Sequence, residues 1–387
     1  MHRLIRSGAL AGVLALSLLG GSAFASAQKA PDVRGHVYVN NNTAGTNTIS
    51  GFDRHADGSL TPIAGSPFAI GGAGTGAAIG SQGALQLSAD GRFLIAVDAG
   101  SNEISVARIK HDGSLQAVQR TPVPSFGTTP VSIAVHGDLV YVANAGASHS
   151  SYVGFRLDSG GHLGVIEDSA FDLPANANPG DVLFSPDGAT LIGVRVGPNA
   201  GPSFIDSFSV GGDGRLTPVA GSPFPAEVTG PFGSVFSPVH PDQLFVTNAH
   251  GGPGTGSVSA FNLTDGVLDA VPNSPFANGQ TGTCWAAIKA DGSVLFTVNT
   301  GTNTVSSYLV GPDGRLSLQG NTPITNPGPG GLGAFDVALS PDQQSLYVVD
   351  SSGFVSAFDV DGAALTEKAS SPVATAPGSH PFGLVVN

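Results

Sequence analysis

The sequence is poor in cysteine and in charged residues, and both shortages narrow what the protein can be. Its 387 residues include one cysteine, Cys284, so no disulfide can form within the chain and no cysteine near the N-terminus can carry a lipid. Charged residues make up only 11% of the chain, and the net charge is −13. A general acidity of this kind disfavours nucleic acids and anionic membrane surfaces as partners. Stability must therefore come from burial and strand pairing.

The apolar run near the N-terminus is too short to span a bilayer. Arg3 and Arg6 precede an apolar stretch over residues 9–19, and Ala25-Ser26-Ala27 follows it. A membrane span needs about 20 apolar residues, whereas a positive start, a short apolar core and a small-x-small site are typical of a cleaved signal peptide. We predict that residues 1–27 are removed and that the mature protein, from Gln28, is secreted or periplasmic. An uncleaved anchor is the less favoured alternative.

Glycine and proline are abundant, at 56 and 28 residues, and much of the glycine lies in one repeated turn. An Asp-Gly-x-Leu motif, or a diverged form of it, recurs seven times at steps of about fifty residues. The copies are Asp57-Gly58-Ser59-Leu60, Asp112-Gly113-Ser114-Leu115, Gly160-Gly161-His162-Leu163, Asp213-Gly214-Arg215-Leu216, Asp265-Gly266-Val267-Leu268, Asp313-Gly314-Arg315-Leu316 and Asp361-Gly362-Ala363-Ala364-Leu365. Asp-Gly between apolar alternating runs predicts a β-hairpin, because glycine takes the positive φ of the turn without a clash. Seven hairpins at a fixed period predict seven copies of one β unit.

Each unit contains four predicted strands, and the copy near the C-terminus is the clearest. Residues 334–339 form a mostly apolar first strand, and residues 346–350 form a continuous β-branched and aromatic second strand. Residues 354–360 alternate, which is typical of a half-exposed strand. An outer strand follows the Asp-Gly turn and is predicted to end at Ser371-Pro372-Val373, where proline suits an edge.

The first unit begins with a second strand, residues 37–40, and has no first strand before it. The C-terminus supplies an unpaired one, residues 382–386. Joining them completes a seventh sheet and closes a ring, which protects the sheet edges. The sequence therefore predicts an all-β, seven-bladed β-propeller with four antiparallel strands per blade, forming a single domain over residues 28–387.

In such a blade the tight turns share one face, and the longer loops lie on the other. Function on a scaffold of this kind is expected in the loops around the central channel. The longest loop, residues 69–84, is rich in glycine but has no lysine and no following helix. It is therefore more readily interpreted as a flexible connector than as a phosphate-binding loop.

Three features of the sequence resemble those of the seven-bladed propeller lactonases. They are the Asp-Gly-x-Leu turns, the turn Ser185-Pro186-Asp187-Gly188 and the strand start Gly230-Pro231. This family includes bacterial 6-phosphogluconolactonases and fungal 3-carboxymuconate-cyclase-like proteins, so the resemblance implies a lactonase-like hydrolase or cyclase. In the family some first strands open with Gly-Pro-Arg-His, followed shortly by Phe-His-Pro. Here Phe232, Gly233 and Ser237 occupy the positions of the Arg and of the two His, so the family's catalytic residues cannot be transferred.

Four other residues are candidates for a catalytic site on the loop face. His149 and His250 lie in loops between second and third strands, His380 lies at the entrance to a first strand, and Arg195 lies at the loop end of a second strand. A histidine could act as general base on a lactone-activating water, with Arg195 holding a carboxylate or a developing oxyanion. Scattered loop histidines are more often simply exposed to solvent.

Two aspartates in first strands, Asp181 and Asp336, could line the channel and bind a cation. Hydrogen bonds to amides of the neighbouring blades are the favoured interpretation. Second strands end in polar residues that are predicted to bond loop backbone. These residues are Asn40, Asp98, Asn144, Asn248, Asn299 and Asp350, and in the fourth unit Arg195 holds the corresponding position.

A phosphosugar requires several cationic or amide donors around its phosphate, and Arg195 is the one arginine predicted at the loop end of a second strand. We therefore expect a small non-phosphorylated lactone as substrate. The alternative is a non-catalytic propeller that binds a ligand or a protein partner through its loop face. No cofactor is predicted, and we expect a monomer with no nucleic-acid partner and no membrane span after signal cleavage.

Overall fold

The computed structural model describes residues 32–119, 121–198, 201–325 and 333–387. The predicted signal peptide, residues 1–27, lies outside them and stays a prediction. Within the described ranges, no helix is long and apolar enough to cross a membrane. Residues 33–387 form one unit.

Seven antiparallel sheets, here called blades 1 to 7, are arranged in a ring. From the centre outwards, the strands of blade 1 are Leu384–Val386, Val33–Asn40, Asn47–His55 and Leu60–Pro62. Those of blade 2 are Leu85–Leu87, Phe93–Asp98, Glu103–Ile109 and Leu115–Ala117. Those of blade 3 are Pro130–His136, Leu139–Ala145, Ser150–Leu157 and Leu163–Val165.

The other four blades follow the same order. The strands of blade 4 are Pro179–Phe184, Thr190–Arg195, Phe204–Val210 and Leu216–Pro218. Those of blade 5 are Pro231–Phe236, Gln243–Asn248, Ser257–Thr264 and Val267–Ala270. Those of blade 6 are Thr283–Ile288, Val294–Asn299, Thr304–Val310 and Leu316–Pro323. Those of blade 7 are Ala334–Leu339, Ser345–Asp350, Phe354–Asp361 and Ala364–Glu367.

The C-terminal strand closes the ring, as the sequence predicts. Val37, Tyr38 and Val39 pair with Val386, Val385 and Leu384, and the backbone amide of Asn40 donates to the carbonyl of Gly383. The first strands contact one another in cyclic order from blade 1 to blade 7 and back. The predicted fold, a seven-bladed propeller closed by its C-terminal strand, is confirmed.

The fourth strand is interrupted in six blades, which the sequence did not indicate, whereas in blade 6 it reaches Pro323. After the interruption a short segment pairs again with the third strand, and in blade 7 it includes the predicted end, Val373. These segments are Phe68–Gly71, Val123–Pro124, Phe171–Leu173, Phe224–Pro225, Phe276–Ala277 and Val373–Ala374. At the break a serine hydroxyl accepts the hydrogen bond of a third-strand amide, as Ser66 does from Gly51 and Ser222 does from Ser207. The serine thus replaces a missing ladder bond.

Tyrosines of the second strands hold the tight turns in place. The hydroxyl groups of Tyr38, Tyr141 and Tyr347 donate to the carbonyls of Gly113, Gly214 and Gly58, each in the Asp-Gly turn of the next blade. All three tyrosines are fully buried. The tight turns of adjacent blades therefore share one face of the ring, here called the tight-turn face, as the blade geometry predicts. The opposite face is called the loop face.

Candidate functional site

The central channel is closed on the loop face by the glycine-rich segment, residues 72–84. Its first half is bonded to blade 1, since the side chain of Asn42 accepts from the amide of Thr75 at 2.8 Å and donates to the carbonyl of Ala77 at 2.7 Å. The amides of Gly74 and Gly76 donate to the carbonyls of Thr43 and Asn42. These amides are already used within the protein and are not available to a phosphate. It is a bonded part of the channel wall rather than the connector that its composition suggests.

The second half of this segment is held by Gln82, which joins three blades. Its backbone amide donates to the carbonyl of Gly180 in blade 4. Its Nε2 donates to the carbonyl of Ser234 in blade 5 at 2.8 Å, and its Oε1 accepts from the amide of Ala286 in blade 6 at 2.9 Å. Residues 72–84, with Gln82 as the cross-link, are here called the channel plug.

Four aromatic side chains pack together beside the plug, at the loop-side ends of neighbouring first strands. The ring centroids of Phe232 and Trp285 are 5.0 Å apart, those of Trp285 and Phe335 are 5.1 Å apart, and those of Phe335 and Phe382 are 4.8 Å apart. Trp285 Nε1 donates to the carbonyl of Ser81 in the plug at 2.8 Å. The loop-side mouth is therefore filled by apolar packing.

This packing explains why the family's Arg and His are replaced. Phe232, at the position of the Arg, is 6% exposed and packs against Trp285. A Cβ atom at position 233 would overlap Gln82 Oε1 and lie 2.5 Å from the carbonyl oxygen of Cys284, so a histidine does not fit. Ser237, at the second His position, is fully buried and accepts from the amide of His240 in a tight turn.

Arg195 is buried inside blade 4, where its guanidinium is bonded to Asp206. Its Nε donates to Asp206 Oδ2 at 2.6 Å, its Nη2 donates to Asp206 Oδ1, and the hydroxyl of Tyr152 donates to the same carboxylate at 3.0 Å. This pair occupies the place that Asp98 and Ser105 occupy in blade 2. An internal carboxylate thus already fills the role proposed for a substrate or an oxyanion.

The three candidate histidines lie apart on the loop face. His149 is exposed, with its Nε2 3.2 Å from Asp172 Oδ1. His250 is half-buried, its Nδ1 has no hydrogen-bond partner within the described ranges, and burial lowers its pKa. His380 is exposed, and its backbone amide donates to Asn41. In the described part of the chain, no hydrogen bond or ion pair joins any two of these histidines or joins one of them to Arg195.

The two buried aspartates are bonded to neighbouring blades, which confirms the favoured interpretation. Asp181 in blade 4 accepts from the amide of Ser234 in blade 5 and from the hydroxyl of Ser132 in blade 3. Asp336 in blade 7 accepts from the amide of Leu384 in blade 1 at 2.9 Å. Burial is the main cause that raises the pKa of each carboxyl to about 7. Among the described residues, no group of three or more His, Cys, Asp or Glu is arranged to hold a metal ion.

Asp336 lines a cavity of about 270 Å³ inside the channel, beneath the plug. The polar side chains in its wall are those of Gln82, Gln86 and Asp336, and the rest of the wall is apolar or glycine. Leu87 and Leu339, at the tight-turn ends of their strands, also line it and are partly exposed. The cavity therefore opens towards the tight-turn face, opposite to the expected loop face.

Comparisons with known proteins agree with this architecture. Residues 34–175, which are blades 1 to 3, match the family described as "Lactonase, 7-bladed beta-propeller". No curated protein matches the chain. The solved structures similar to it include a candidate 6-phosphogluconolactonase from Bacteroides uniformis, 19% identical, covering 92% of this chain and 100% of that one with a TM-score of 0.73.

A second similar structure is the periplasmic gluconolactonase PpgL of Pseudomonas aeruginosa. It is 19% identical and covers 91% of this chain and 98% of that one, with a TM-score of 0.67. At this identity the structural likeness shows the fold. The resemblance to the seven-bladed propeller lactonases is therefore confirmed in sequence over blades 1 to 3, and their fold is present over the whole ring.

Proposed function

We propose that this protein is exported and hydrolyses a small, non-phosphorylated lactone bound in the channel cavity. The observation that carries the proposal is the composition of the cavity wall, where one ionisable carboxyl, Asp336, stands with two amides and no lysine or arginine. The family resemblance supports lactone chemistry, and the N-terminal signal pattern supports export. The similar PpgL is described as periplasmic, which agrees with a secreted or periplasmic location for this protein.

The cavity disfavours a phosphorylated substrate on electrostatic grounds. A phosphate monoester carries a charge between about −1.5 and −2 at neutral pH and needs cationic or amide donors when it leaves water. Within the cavity the nearest ionisable group is itself an acid. A neutral hydroxylated lactone needs only hydrogen bonds, which Gln86 and Asp336 can provide.

Asp336 is suited to act as the general base. With a pKa of about 7, its carboxylate can take a proton from a water as the water oxygen adds to the lactone carbonyl carbon. The ring C–O bond then breaks, and the proton passes to the leaving alkoxide, giving a hydroxy acid. The side-chain amide of Gln86 lines the same cavity and can donate to the developing oxyanion.

The experiment is a pH-stat assay of the mature protein with D-glucono-1,5-lactone and its 6-phosphate, corrected for spontaneous hydrolysis. We expect the unphosphorylated lactone to have a kcat/KM at least tenfold higher. Asp336→Asn should lower kcat by about 10²–10⁴-fold, the usual contribution of a general base. Asp181→Asn is the matched control, since Asp181 is equally buried but does not line the cavity. Equal rates for both lactones, or equal losses in both variants, would refute the proposal.

The sealed loop-side mouth favours one alternative, a propeller that binds without turnover. The plug and the aromatic side chains beside it leave the loop face without the family's Arg and His, and that face is then available for a ligand or a protein. In this case the assay shows no turnover of any unphosphorylated lactone, whereas a sugar or lactone still raises the melting temperature.

A further inference from the structure

The channel cavity is lined by the free edges of first strands as well as by side chains. In an antiparallel pair, residues that bond the partner strand alternate with residues whose backbone groups point away from it. Asn387 exchanges both backbone hydrogen bonds with His36. Its neighbour Val386, opposite Val37, therefore points its amide and carbonyl away from the second strand of blade 1. Because the first strand is the innermost one, these groups face the channel.

Leu87 in blade 2 and Leu339 in blade 7 have the same arrangement. The next residue in each strand, Ser88 or Ser340, donates its amide to the second strand of the blade, so the backbone groups of Leu87 and Leu339 point into the channel. Leu87, Leu339 and Val386 all line the cavity and are partly exposed. Among the described residues, no partner accepts from their amides or donates to their carbonyls.

The same strand edge is satisfied one level closer to the plug. Two residues earlier in the first strand, in blades 1 and 3 to 7, the protein itself supplies an acceptor for the edge amide. The acceptors are Asp181, Asp336, Gln82 Oε1, Ser132 Oγ and the carbonyl of Gly83. A polar group that is taken out of water without a partner costs free energy. At the level of Leu87, Leu339 and Val386 the partner must therefore enter the cavity from outside.

We infer that the cavity recognises the ring hydroxyls of its substrate through the backbone of Leu87, Leu339 and Val386. The inference rests on the proposed function, since it names the substrate class of the same site. A hydroxyl donates one hydrogen bond and accepts two, so hydroxyls can use both the amides and the carbonyls of a strand edge. An alkyl-substituted lactone would cover these groups without bonding them, at a cost in free energy.

The size of the cavity limits the ligand to a single ring. Its volume of about 270 Å³ is slightly below the roughly 300–1,000 Å³ of sites for drug-sized ligands. The substrate class is therefore a neutral, polyhydroxylated lactone of the size of one sugar. Backbone recognition explains how a wall whose side chains are mostly apolar holds a polar ring.

The first test compares two ligands that have no carbonyl to hydrolyse, 1,5-anhydro-D-glucitol and tetrahydropyran-2-methanol. They share the ring and the hydroxymethyl group, but the second lacks the ring hydroxyls. We expect isothermal titration calorimetry of the mature protein to show binding of the first and at least tenfold weaker binding of the second. Equal affinities, or no binding of 1,5-anhydro-D-glucitol at tens of millimolar, would overturn the inference.

The second test removes one edge amide with proline. Proline is tolerated at an edge whose amide bonds no neighbouring strand, so Val386→Pro leaves the ladder intact. Val135→Pro is the matched control, because Val135 has the corresponding position in blade 3 but does not line the cavity. We expect Val386→Pro to weaken binding of 1,5-anhydro-D-glucitol about fivefold, the effect of one neutral hydrogen bond, and Val135→Pro to leave it unchanged. Equal affinities in the two folded variants would contradict backbone recognition.

A third comparison separates this inference from the proposed hydrolysis. δ-Valerolactone has the ester ring of D-glucono-1,5-lactone without its hydroxyls, and we expect its kcat/KM to be at least tenfold lower. If both lactones are hydrolysed with equal kcat/KM, the hydrolysis stands and the recognition of hydroxyls is refuted. If neither is hydrolysed but 1,5-anhydro-D-glucitol binds with the expected preference, the hydrolysis is refuted and the recognition stands.

Discussion

The carboxylate of Asp336 in blade 7 accepts a hydrogen bond from the backbone amide of Leu384, 2.9 Å away, in the strand that closes blade 1. An ionisable group therefore contacts the ring closure directly. Burial raises the pKa of this carboxyl to about 7, whereas an aspartate in an unfolded chain titrates near 3.9. Between these two values the folded protein binds the proton more tightly than the unfolded chain does.

The pH dependence of stability follows from this difference. Because the folded-state pKa is raised, the contribution of Asp336 is most favourable below about pH 4 and is lost as the pH rises towards 7. The pKa of Asp181 is also raised to about 7, so this residue changes the stability in the same direction with pH. We expect the melting temperature to fall between pH 5 and pH 8, and we expect Asp336→Asn to reduce this slope. Melting curves at four pH values would measure this slope. An unchanged slope in Asp336→Asn would show that Asp336 is not the cause of the pH dependence.

Removal of residues 381–387 should open the ring. The truncation deletes the first strand of blade 1 and the burial of Phe382, Leu384 and Val385. At roughly 1.5–3 kcal/mol for each large apolar side chain, the loss approaches a domain's net stability of about 5–15 kcal/mol. Size-exclusion chromatography and thermal melts should show aggregation or a much lower melting temperature. A folded monomer that melts at the original temperature would show that the closure contributes little.

Substitution of Gly233 tests the fit of the plug. Gly233→Ala places a methyl group against Gln82 Oε1 and the Cys284 carbonyl, which should cost about 1–3 kcal/mol of unfolding free energy by overpacking. Gly164→Ala is the control, because nothing lies within 4 Å of a Cβ there. Urea denaturation of both variants measures the difference. The Gln82→Ala background should not rescue Gly233→Ala, since the backbone carbonyl remains.

The Arg195–Asp206 pair should behave as a buried ion pair. Arg195→Ala leaves the Asp206 carboxylate, 1% exposed, without its partner, and we expect a loss of about 3–5 kcal/mol in unfolding free energy. Arg195→Met combined with Asp206→Leu should recover most of this loss. Asp138→Ala, which breaks the exposed pair with Arg156, should cost no more than about 1 kcal/mol. If Arg195→Ala instead lowers only kcat/KM at unchanged stability, the arginine acts on the substrate.

The fold was predictable from the sequence because its signals are local and repeated. Asp-Gly turns at a fixed period, such as Asp57-Gly58, mark each hairpin, and the missing first strand of blade 1 points to the C-terminal residues 382–386. The positions of Asp181 and Asp336 in first strands were also visible, as were the substitutions at Phe232 and Gly233.

The plug was not predictable, because its contacts are long-range. Gln82 bonds residues near positions 180, 234 and 286, and no periodicity or turn signal connects a glutamine to them. The glycine content of the segment indicated mobility, although tertiary hydrogen bonds hold it. The partner of Arg195 could not be predicted either, because no sequence pattern connects Asp206, on the neighbouring strand, with this arginine.

The broken fourth strands bear on how copies of this protein meet one another. An outer strand two to four residues long, followed by a turn, offers an incoming chain too few free backbone groups to start intermolecular strand pairing. Blade 6 differs, because its outer strand, Leu316–Pro323, is eight residues long, with one bulge at Gln319, and carries Leu318 at 39% exposure. Within the described residues this edge is the place where self-assembly into larger aggregates would begin, and a lysine introduced at position 318 would protect it.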